Sequence, residues 1–172
     1  VRQSQGDLEE AIADYTEAIR LQPSNANAYV GRGDARTSRG DSQGAFADFT
    51  EAIRLKPSYA HAYVLRANAR ARSSDLEGAF ADFTEAVRLD PGNAGAYVGR
   101  GNGRFDHGDV AGAMVDYTEA IRLTPTFTMA YLARGLALYK TGDAAGAIAD
   151  FTESIRLAPG NAQAYQFRAI VY

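Results

Sequence analysis

The sequence predicts an all-α protein built from repeated pairs of antiparallel helices. The first observation is a spacing, because successive prolines lie 34 residues apart at Pro23, Pro57, Pro91, Pro125 and Pro159. An Ala-x-Tyr-x-x-x-Arg segment recurs with the same period, and a Gly-Asp pair stands in the middle of nearly every unit. A fixed period of roughly 20 to 50 residues is typical of stacked repeats, in which each unit is one small helical or strand motif.

The segment from residue 26 to 39 represents the first helix of each unit, which we name helix A. Its apolar and small residues Ala28, Tyr29, Gly33 and Ala35 recur at helical spacing. Asn25 precedes them, and an asparagine in that place accepts hydrogen bonds from the free amides of a first helical turn. The pattern therefore predicts a helix that begins directly after Asn25.

A short turn and a second helix, which we name helix B, complete the unit. Gly40 is expected to end helix A in the left-handed conformation, and Asp41 is expected to cap helix B. Pro57 is expected to end helix B, because proline lacks an amide donor and disfavours helical geometry in the residue before it. The predicted buried stripe of helix B is Ala45, Phe46, Phe49, Ala52, Ile53 and Leu55.

The start of helix B differs between the first unit and the others. Asp7 and Glu10 are expected to form a capping box, in which each side chain bonds the backbone amide near the other. Glycine replaces the glutamate in the later units, at Gly44, Gly78, Gly112 and Gly146. Glycine inside a helix costs about 1 kcal/mol relative to alanine, so we expect close approach by the backbone of a neighbouring helix there.

These recurring residues resemble those of the tetratricopeptide repeat family. The small residue of the family's helix A falls on Gly33, Ala67, Gly101, Gly135 and Ala169, and the resemblance covers the whole chain. It implies a right-handed superhelical solenoid whose A helices line a concave groove. Two departures are visible: tyrosine replaces the usual tryptophan, as at Tyr29, and arginine replaces a usual tyrosine in three units, as at Arg36.

The period divides residues 1–172 into a single solenoid. Partial repeats are expected at 1–25 and 162–172, and full repeats at 26–59, 60–93, 94–127 and 128–161. Both ends look cut from a longer array, and they are complementary, since the last unit supplies part of the helix A that the first lacks. We therefore expect head-to-tail self-association of copies through residues 162–172 and 7–21.

Composition excludes several classes of function. The formal net charge is -3, whereas nucleic-acid and anionic-membrane surfaces normally show a basic excess, so neither partner is expected. The chain has no cysteine and two histidines, which leaves no thiolate nucleophile and little from which to build a metal site. No catalytic residue, cofactor or membrane span is expected. The compartment stays open, with the cytoplasm favoured.

Residues that recur in every unit are expected to serve stacking. An arginine of helix A, as at Arg32, and an aspartate of helix B, as at Asp48, recur together and are expected to form a bidentate ion pair. A second arginine series has two interpretations: a basic rail at the edge of the groove, or pairing with carboxylates of helix B. That series is Arg36, Arg70 and Arg104.

Residues that change from unit to unit on helix A are free to recognise a ligand. The candidate groove residues are Asn27, Val30, Asp34, His61, Val64, Asn68, Val98, Asn102, Phe105, Met129, Leu132, Leu136 and Tyr139. Their apolar share rises toward the C-terminal end, where an anchor pocket for a peptide is expected. The alternative interpretation is that several of these side chains pack between helices.

A non-catalytic protein–protein interaction scaffold is the function that this pattern favours, with a peptide segment of a partner held in the groove. Some members of the family clamp a terminal carboxylate with basic and asparagine side chains, but valine or leucine stands at one of those positions here, as at Val64. Binding of a chaperone tail is therefore disfavoured. The alternatives are a targeting segment of a longer enzyme and a self-assembling solenoid.

Overall fold

The computed structural model describes the backbone of residues 2–172 and the side chains from Gly6 onward. The described chain is all-α and contains no strand. Its helices are α1 (Arg2–Leu21), α2 (Ala26–Arg39), α3 (Ser42–Leu55), α4 (Ala60–Arg72), α5 (Leu76–Leu89), α6 (Ala94–Asp106), α7 (Val110–Leu123), α8 (Thr128–Lys140), α9 (Ala144–Leu157) and α10 (Ala162–Val171).

The predicted helix pairs are confirmed, and they are α2 with α3, α4 with α5, α6 with α7, and α8 with α9. Asn25 accepts a hydrogen bond from the amide of Ala28, and Asp41 accepts one from the amide of Gly44, at 3.2 and 2.9 Å. Gly40 has a φ of 90°, so it provides the left-handed residue that ends α2. The helices A are thus α2, α4, α6, α8 and α10, and the others are helices B.

The capping box predicted at the start of the chain is wrong. Helix α1 runs without interruption from Arg2 to Leu21, straight through Gly6, Asp7 and Glu10. In later repeats the Gly-Asp turn is held by the packing of helix A on the helix B that follows it. Residues 2–5 supply no such packed helix, and a continuous helix then satisfies the backbone amides better than a turn does.

Two compact units make up the chain, and each is described by itself. Unit 1 is Val1–Leu89 and contains α1 to α5, in which each helix packs on the next. Unit 2 is Asp90–Tyr172 and contains α6 to α10, with the same consecutive packing and with contacts between the A helices α6 and α8. A single array over residues 1–172 stays a prediction.

The core of each unit is built from small residues around one aromatic ring per helix B. In unit 1 the ring of Phe49 is buried against Gly33 of helix A, and in unit 2 the ring of Tyr117 is buried against Gly101. A Cβ added to Gly101 would lie 2.6 Å from that ring, so the absence of a side chain permits the contact. The second repeat accommodates Ala67 instead.

The expected role of the four helix B glycines is corrected by the structure. A Cβ added at Gly44 would first meet the carboxylate of Asp41, which caps the same helix, and not the backbone of a neighbouring helix. The capping aspartates at 75, 109 and 143 approach Gly78, Gly112 and Gly146 in the same way. Glycine therefore makes room for the cap of its own helix.

Candidate functional site

Helix A is held on helix B of its own repeat by an arginine and an aspartate. The Nε and Nη2 atoms of Arg32 donate to the two carboxylate oxygens of Asp48 at 3.0 and 2.7 Å. The same two-bond geometry is present in Arg66–Asp82, Arg100–Asp116 and Arg134–Asp150. Hydrogen bonding to Asp48 raises the pKa of Arg32, and its counterpart acts likewise in the other three pairs. The predicted bidentate pair is confirmed in all four complete repeats.

A tyrosine lies under each recurring arginine. The guanidinium carbon of Arg32 is 5.5 Å from the ring centroid of Tyr29, and the four corresponding distances in later repeats lie between 5.2 and 5.9 Å. This is the geometry of a cation–π contact, which restrains the guanidinium beside its carboxylate. The tyrosine that departs from the family pattern therefore belongs to the same network as the ion pair.

The second arginine series, which is on helix A, also bonds helix B of its own repeat. Arg36 Nη1 donates to Asp48 Oδ2 at 2.7 Å and to the carbonyl of Gly44 at 3.2 Å. Arg70 and Arg104 bind the corresponding aspartate and glycine carbonyl of their own repeats at distances of 2.9 to 3.2 Å. This geometry agrees with the second interpretation of the series, in which each arginine pairs with a carboxylate of helix B. Most of each arginine side chain is covered. A repeat whose helix A carries Leu138 lacks this second arginine.

The helix A face of unit 1 is polar. Asn27, His61 and Asn68 are exposed, whereas Val30 is buried and Val64 is half-buried between helices. Asp34 is exposed as well; partial desolvation raises the pKa of its carboxyl, and the electrostatic interaction with nearby His61 offsets part of that rise. The accessible groups of this face are therefore amides, one carboxyl and one imidazole.

The helix A face of unit 2 is apolar. Met129, Leu132, Leu136 and Tyr139 follow one another at helical spacing along α8, with Met129 50% and Tyr139 47% exposed. Leu132 is buried and forms the floor between them, and Leu136 is half-buried. Phe105 of α6 adds a half-buried ring. We name Phe105, Met129, Leu136 and Tyr139 the apolar face.

Lysine and phenylalanine side chains join the two helices of the apolar face. The Nζ atom of Lys140 lies 4.4 Å from the ring centroid of Phe105, which is within cation–π distance. Phe167 of α10 turns elsewhere, since its ring lies 5.8 Å from the buried ring of Phe151. The face is thus framed by α6 and α8, and its rim carries the ammonium of Lys140.

One amide at the edge of the apolar face has a fixed orientation. The hydroxyl of Tyr117 donates to Asn102 Oδ1 at 2.9 Å, and burial raises the pKa of Tyr117, so the proton stays on the oxygen. With its carbonyl oxygen bound, the amide of Asn102 presents its NH2 group outward as a donor. Val98, on the same helix, is buried and packs in the core of unit 2.

Sequence reasoning missed Tyr117 as part of this site. The four other helices B carry phenylalanine or, in α1, a tyrosine where Tyr117 stands, and Asn102 lies 15 residues before Tyr117. Only the combination of hydroxyl and amide in one repeat gives the hydrogen bond. A tyrosine on helix B together with an asparagine on helix A of the same repeat is therefore the sequence signal that could have identified this hydrogen bond.

Among the residues with described side chains, the structure contains neither a candidate metal site nor a candidate membrane-spanning helix. No three His, Asp or Glu side chains there come together in a way suited to hold a metal ion. Across the same residues, no helix has the length and apolar character needed to cross a bilayer.

Comparison with known proteins gives matches along nearly all of the chain. One family model described as TPR repeat matches residues 2–36 and 101–142. Two models described as Tetratricopeptide repeat match residues 38–94 and 129–161. No curated protein sequence matches the chain.

Solved structures share the fold at low sequence identity. A crystal structure of MamA is 23% identical with a TM-score of 0.79, and the match covers 94% of this chain and 95% of that one. YrrB, described as a TPR protein with an unusual peptide-binding site, is 20% identical with a TM-score of 0.78, covering 97% and 86%. The first TPR of Spaghetti, bound to an HSP90 peptide, is 23% identical with a TM-score of 0.62, covering 65% and 89%.

Proposed function

Because the chain belongs to the tetratricopeptide repeat family, we propose that it is a non-catalytic interaction module that binds a peptide segment of a partner protein on the apolar face of unit 2. The observation that carries this proposal is the stripe of α8, in which Met129 and Tyr139 remain about half exposed on either side of a buried leucine floor. An exposed apolar stripe of this kind is typical of a surface that binds a partner.

The chemistry of the face defines the kind of segment that fits. Met129 and Tyr139 offer a flexible thioether and an amphipathic ring, which suit one or two apolar anchor side chains of the ligand. The NH2 group of Asn102 offers a donor to a main-chain carbonyl of an extended segment. The ligand is therefore a peptide with apolar anchors and an accessible backbone carbonyl.

An acidic peptide tail fits this chain less well. The Spaghetti domain is described as bound to the HSP90 peptide SRMEEVD, which carries two glutamates and an aspartate. In this chain Val98 and Leu132 are buried where basic side chains would be needed to hold a terminal carboxylate. We therefore infer that recognition rests on apolar contacts, with Lys140 at the rim as the nearby cation.

The structure also refines which substitutions test the proposal. Leu132 is buried, so a charge there would disrupt the fold itself. Met129→Glu with Tyr139→Glu changes two exposed side chains and leaves the core intact. The matched control is His61→Glu with Ala71→Glu, which alters exposed residues at the same repeat positions of α4.

The experiment uses peptides selected on the 172-residue chain from a display library, with dissociation constants measured by fluorescence anisotropy. We expect the Met129/Tyr139 variant to bind these peptides about tenfold or more weakly. The His61/Ala71 variant is expected to bind them as tightly as the parent. Equal binding by the parent and the Met129/Tyr139 variant would assign the ligand to another surface.

A further inference from the structure

A cation stands at the rim of the apolar face and is held in place without being neutralised. Lys140 is the last residue of α8, its side chain is exposed, and its ammonium lies 4.4 Å from the ring centroid of Phe105. Within the part of the chain that the structure describes, no carboxylate lies at ion-pair distance from this ammonium. A cation–π contact orients an ammonium but leaves its charge and its hydrogen-bond donors available, so Lys140 can still bind an acceptor on a ligand.

The arginines of the same two helices are already paired. Those of α6 bind the buried carboxylate of Asp116, and that of α8 binds the buried carboxylate of Asp150. Because each of these guanidinium groups faces a carboxylate of its own repeat, they add little attraction for a charge on a ligand. Lys140 is therefore the cationic side chain of α6 and α8 that stays available on this face.

An acidic residue stands at the matching place on α6. Asp106 ends α6 as Lys140 ends α8, one repeat period earlier, and its side chain is exposed. Burial raises the pKa of Tyr117, and the carboxylate of Asp106 adds to that rise, so Asp106 acts electrostatically on the hydroxyl that binds Asn102. Among the described contacts it forms no ion pair with Lys140, whose charge is therefore not compensated at contact distance.

The corresponding place in unit 1 has a cation but neither the ring nor the anchor. Arg72 ends α4 at the repeat position of Lys140, and its side chain is exposed. The residue before it is Ala71, where α8 carries Tyr139, and no aromatic ring lies against Arg72 among the described contacts. A cation held over a ring and beside an exposed apolar side chain is thus a property of unit 2 and does not follow from repeat position.

We propose that the peptide segment bound on the apolar face carries an acidic side chain beside its apolar anchors, and that the ammonium of Lys140 binds its carboxylate. This inference rests on the proposed function and specifies the chemistry of its ligand. The acid belongs to a side chain of the segment and not to its terminus, because Lys140 offers a single cation, and Val98 and Leu132 are buried where further donors would be needed. Since Tyr139 directly precedes Lys140, the acidic residue is expected next to the anchor that packs on Tyr139.

Charge at this rim acts mainly on selectivity. A ligand that covers the apolar face also removes water from around Lys140, which strengthens its attraction for a carboxylate. The contact with Phe105 already restrains the lysine side chain, so less conformational entropy is lost when it binds. A basic side chain at the same place would meet Lys140 as a like charge and would be rejected.

Peptide selection on two forms of the 172-residue chain tests the proposal without a known ligand. A display library of random linear peptides is selected in parallel on the parent and on Lys140→Glu. We expect an acidic residue beside the apolar anchors to be enriched on the parent, and a basic residue to replace it on the variant. Arg72→Glu makes the same change of charge at the same repeat position of α4, and it is expected to select the same peptides as the parent.

Charge exchange between the two partners gives the decisive measurement. A peptide selected on the parent is synthesised with an amidated C-terminus, both unchanged and with its acidic residue replaced by lysine, and anisotropy gives the dissociation constants. Lys140→Glu is expected to bind the unchanged peptide about tenfold or more weakly and to prefer the lysine-containing one. Asp106→Asn removes a negative charge from the same rim and is expected to bind the unchanged peptide at least as tightly as the parent.

The outcomes separate this inference from the proposed function. Peptides that the Met129/Tyr139 variant binds weakly, but that Lys140→Glu binds as tightly as the parent, overturn the inference alone. Loss of binding on amidation assigns the charge to the chain terminus and overturns it too. A selection without binders, or binders that the Met129/Tyr139 variant holds as tightly as the parent, contradicts the proposed function itself. Circular dichroism verifies the helix content of every variant.

Discussion

The helix A faces of the two units differ although the same network supports both. Helix α4 of unit 1 carries His61, Asn68 and Ala71, and helix α8 of unit 2 carries Met129, Leu136 and Tyr139 two periods later. The recurring pairs beneath them, Arg66–Asp82 and Arg134–Asp150, have nearly identical geometry. The exposed face of helix A and the network that supports it are therefore encoded by separate residues, so the face can change without altering the support.

The support itself differs between the units in one respect. Asp48 of unit 1 accepts from both Arg32 and Arg36, whereas Asp150 of unit 2 accepts from Arg134 alone because Leu138 replaces the second arginine. The leucine packs against the apolar cluster of α8 to α10. Unit 2 thus exchanges one ion pair for apolar contact in its last complete repeat.

The largest expected effect comes from removing these carboxylates. Asp48→Ala leaves two guanidinium groups facing a partly buried site without their acceptor, and we expect a loss of about 3–5 kcal/mol in the free energy of unfolding. Asp150→Ala leaves only the guanidinium of Arg134 without its acceptor, so we expect a clearly smaller loss in the free energy of unfolding. Urea unfolding followed by circular dichroism measures both. Equal losses in the two variants would show that the second arginine contributes nothing.

A smaller effect is expected from the close contact in α6. Gly101→Ala brings a methyl group to 2.6 Å from the ring of Tyr117, which is also held by Asn102, so we expect a loss of about 1–3 kcal/mol. Gly95→Ala is the control on the same helix, because only Asn93 Oδ1 lies near, at 3.4 Å. It is expected to gain about 0.5–1 kcal/mol from helix propensity. Thermal unfolding that shifts both variants in the same direction would contradict this account of Gly101.

The turns between helix A and helix B offer a third comparison of the units. Ser74 in unit 1 has a φ of 65°, where Gly142 in unit 2 has a φ of 87°. We expect Ser74→Gly to stabilise the chain by about 1 kcal/mol and Gly142→Ser to destabilise it by a similar amount of about 1 kcal/mol, because a side chain is strained in this conformation. The midpoint of thermal unfolding tests both, and a stable Gly142→Ser variant would argue against strain.

The smallest effect concerns pH and the polar face of unit 1. Burial raises the pKa of Asp34 in the folded chain above its unfolded value, so the folded state binds more protons between the two values. Stability contributed by this group is therefore present below the unfolded pKa and declines as pH rises through the folded pKa. Asp34→Asn should remove that decline from urea midpoints measured from about pH 4 to pH 7. Superimposable pH profiles would contradict the assignment.

Much of the fold could be predicted from the sequence because the same local signals for helix starts and helix ends recur along the chain with the repeat period. Asn25 and Asp41 specify helix starts through side-chain caps, Gly40 and Pro57 specify helix ends through their backbone, and the structure places the helix boundaries there. The capping box predicted at Asp7 and Glu10 is wrong because the local signal is present there but no helix A is packed beside it among the described residues. Local signals at a helix end therefore depend on the tertiary contact that they serve.

Less of the candidate site than of the fold could be predicted from the sequence. Repeat position identifies which residues lie on helix A, but it does not show that Val30, Val98 and Leu132 are covered while Met129 and Tyr139 protrude. Burial of that kind depends on how closely neighbouring helices approach. The bond between Tyr117 and Asn102 depends likewise on a distance between two helices, which no spacing along the chain provides.

Chemical-shift mapping of the 15N-labelled chain with a selected peptide tests the central claim most directly. The account predicts shifts concentrated at Phe105, Met129, Leu136 and Tyr139 and at the side-chain amide of Asn102. The amides of α7 and α9, and of the polar face of unit 1, should move little. Shifts confined to the helices B, or centred on His61 and Asn68, would contradict the claim that the apolar face of unit 2 is where this chain binds its ligand.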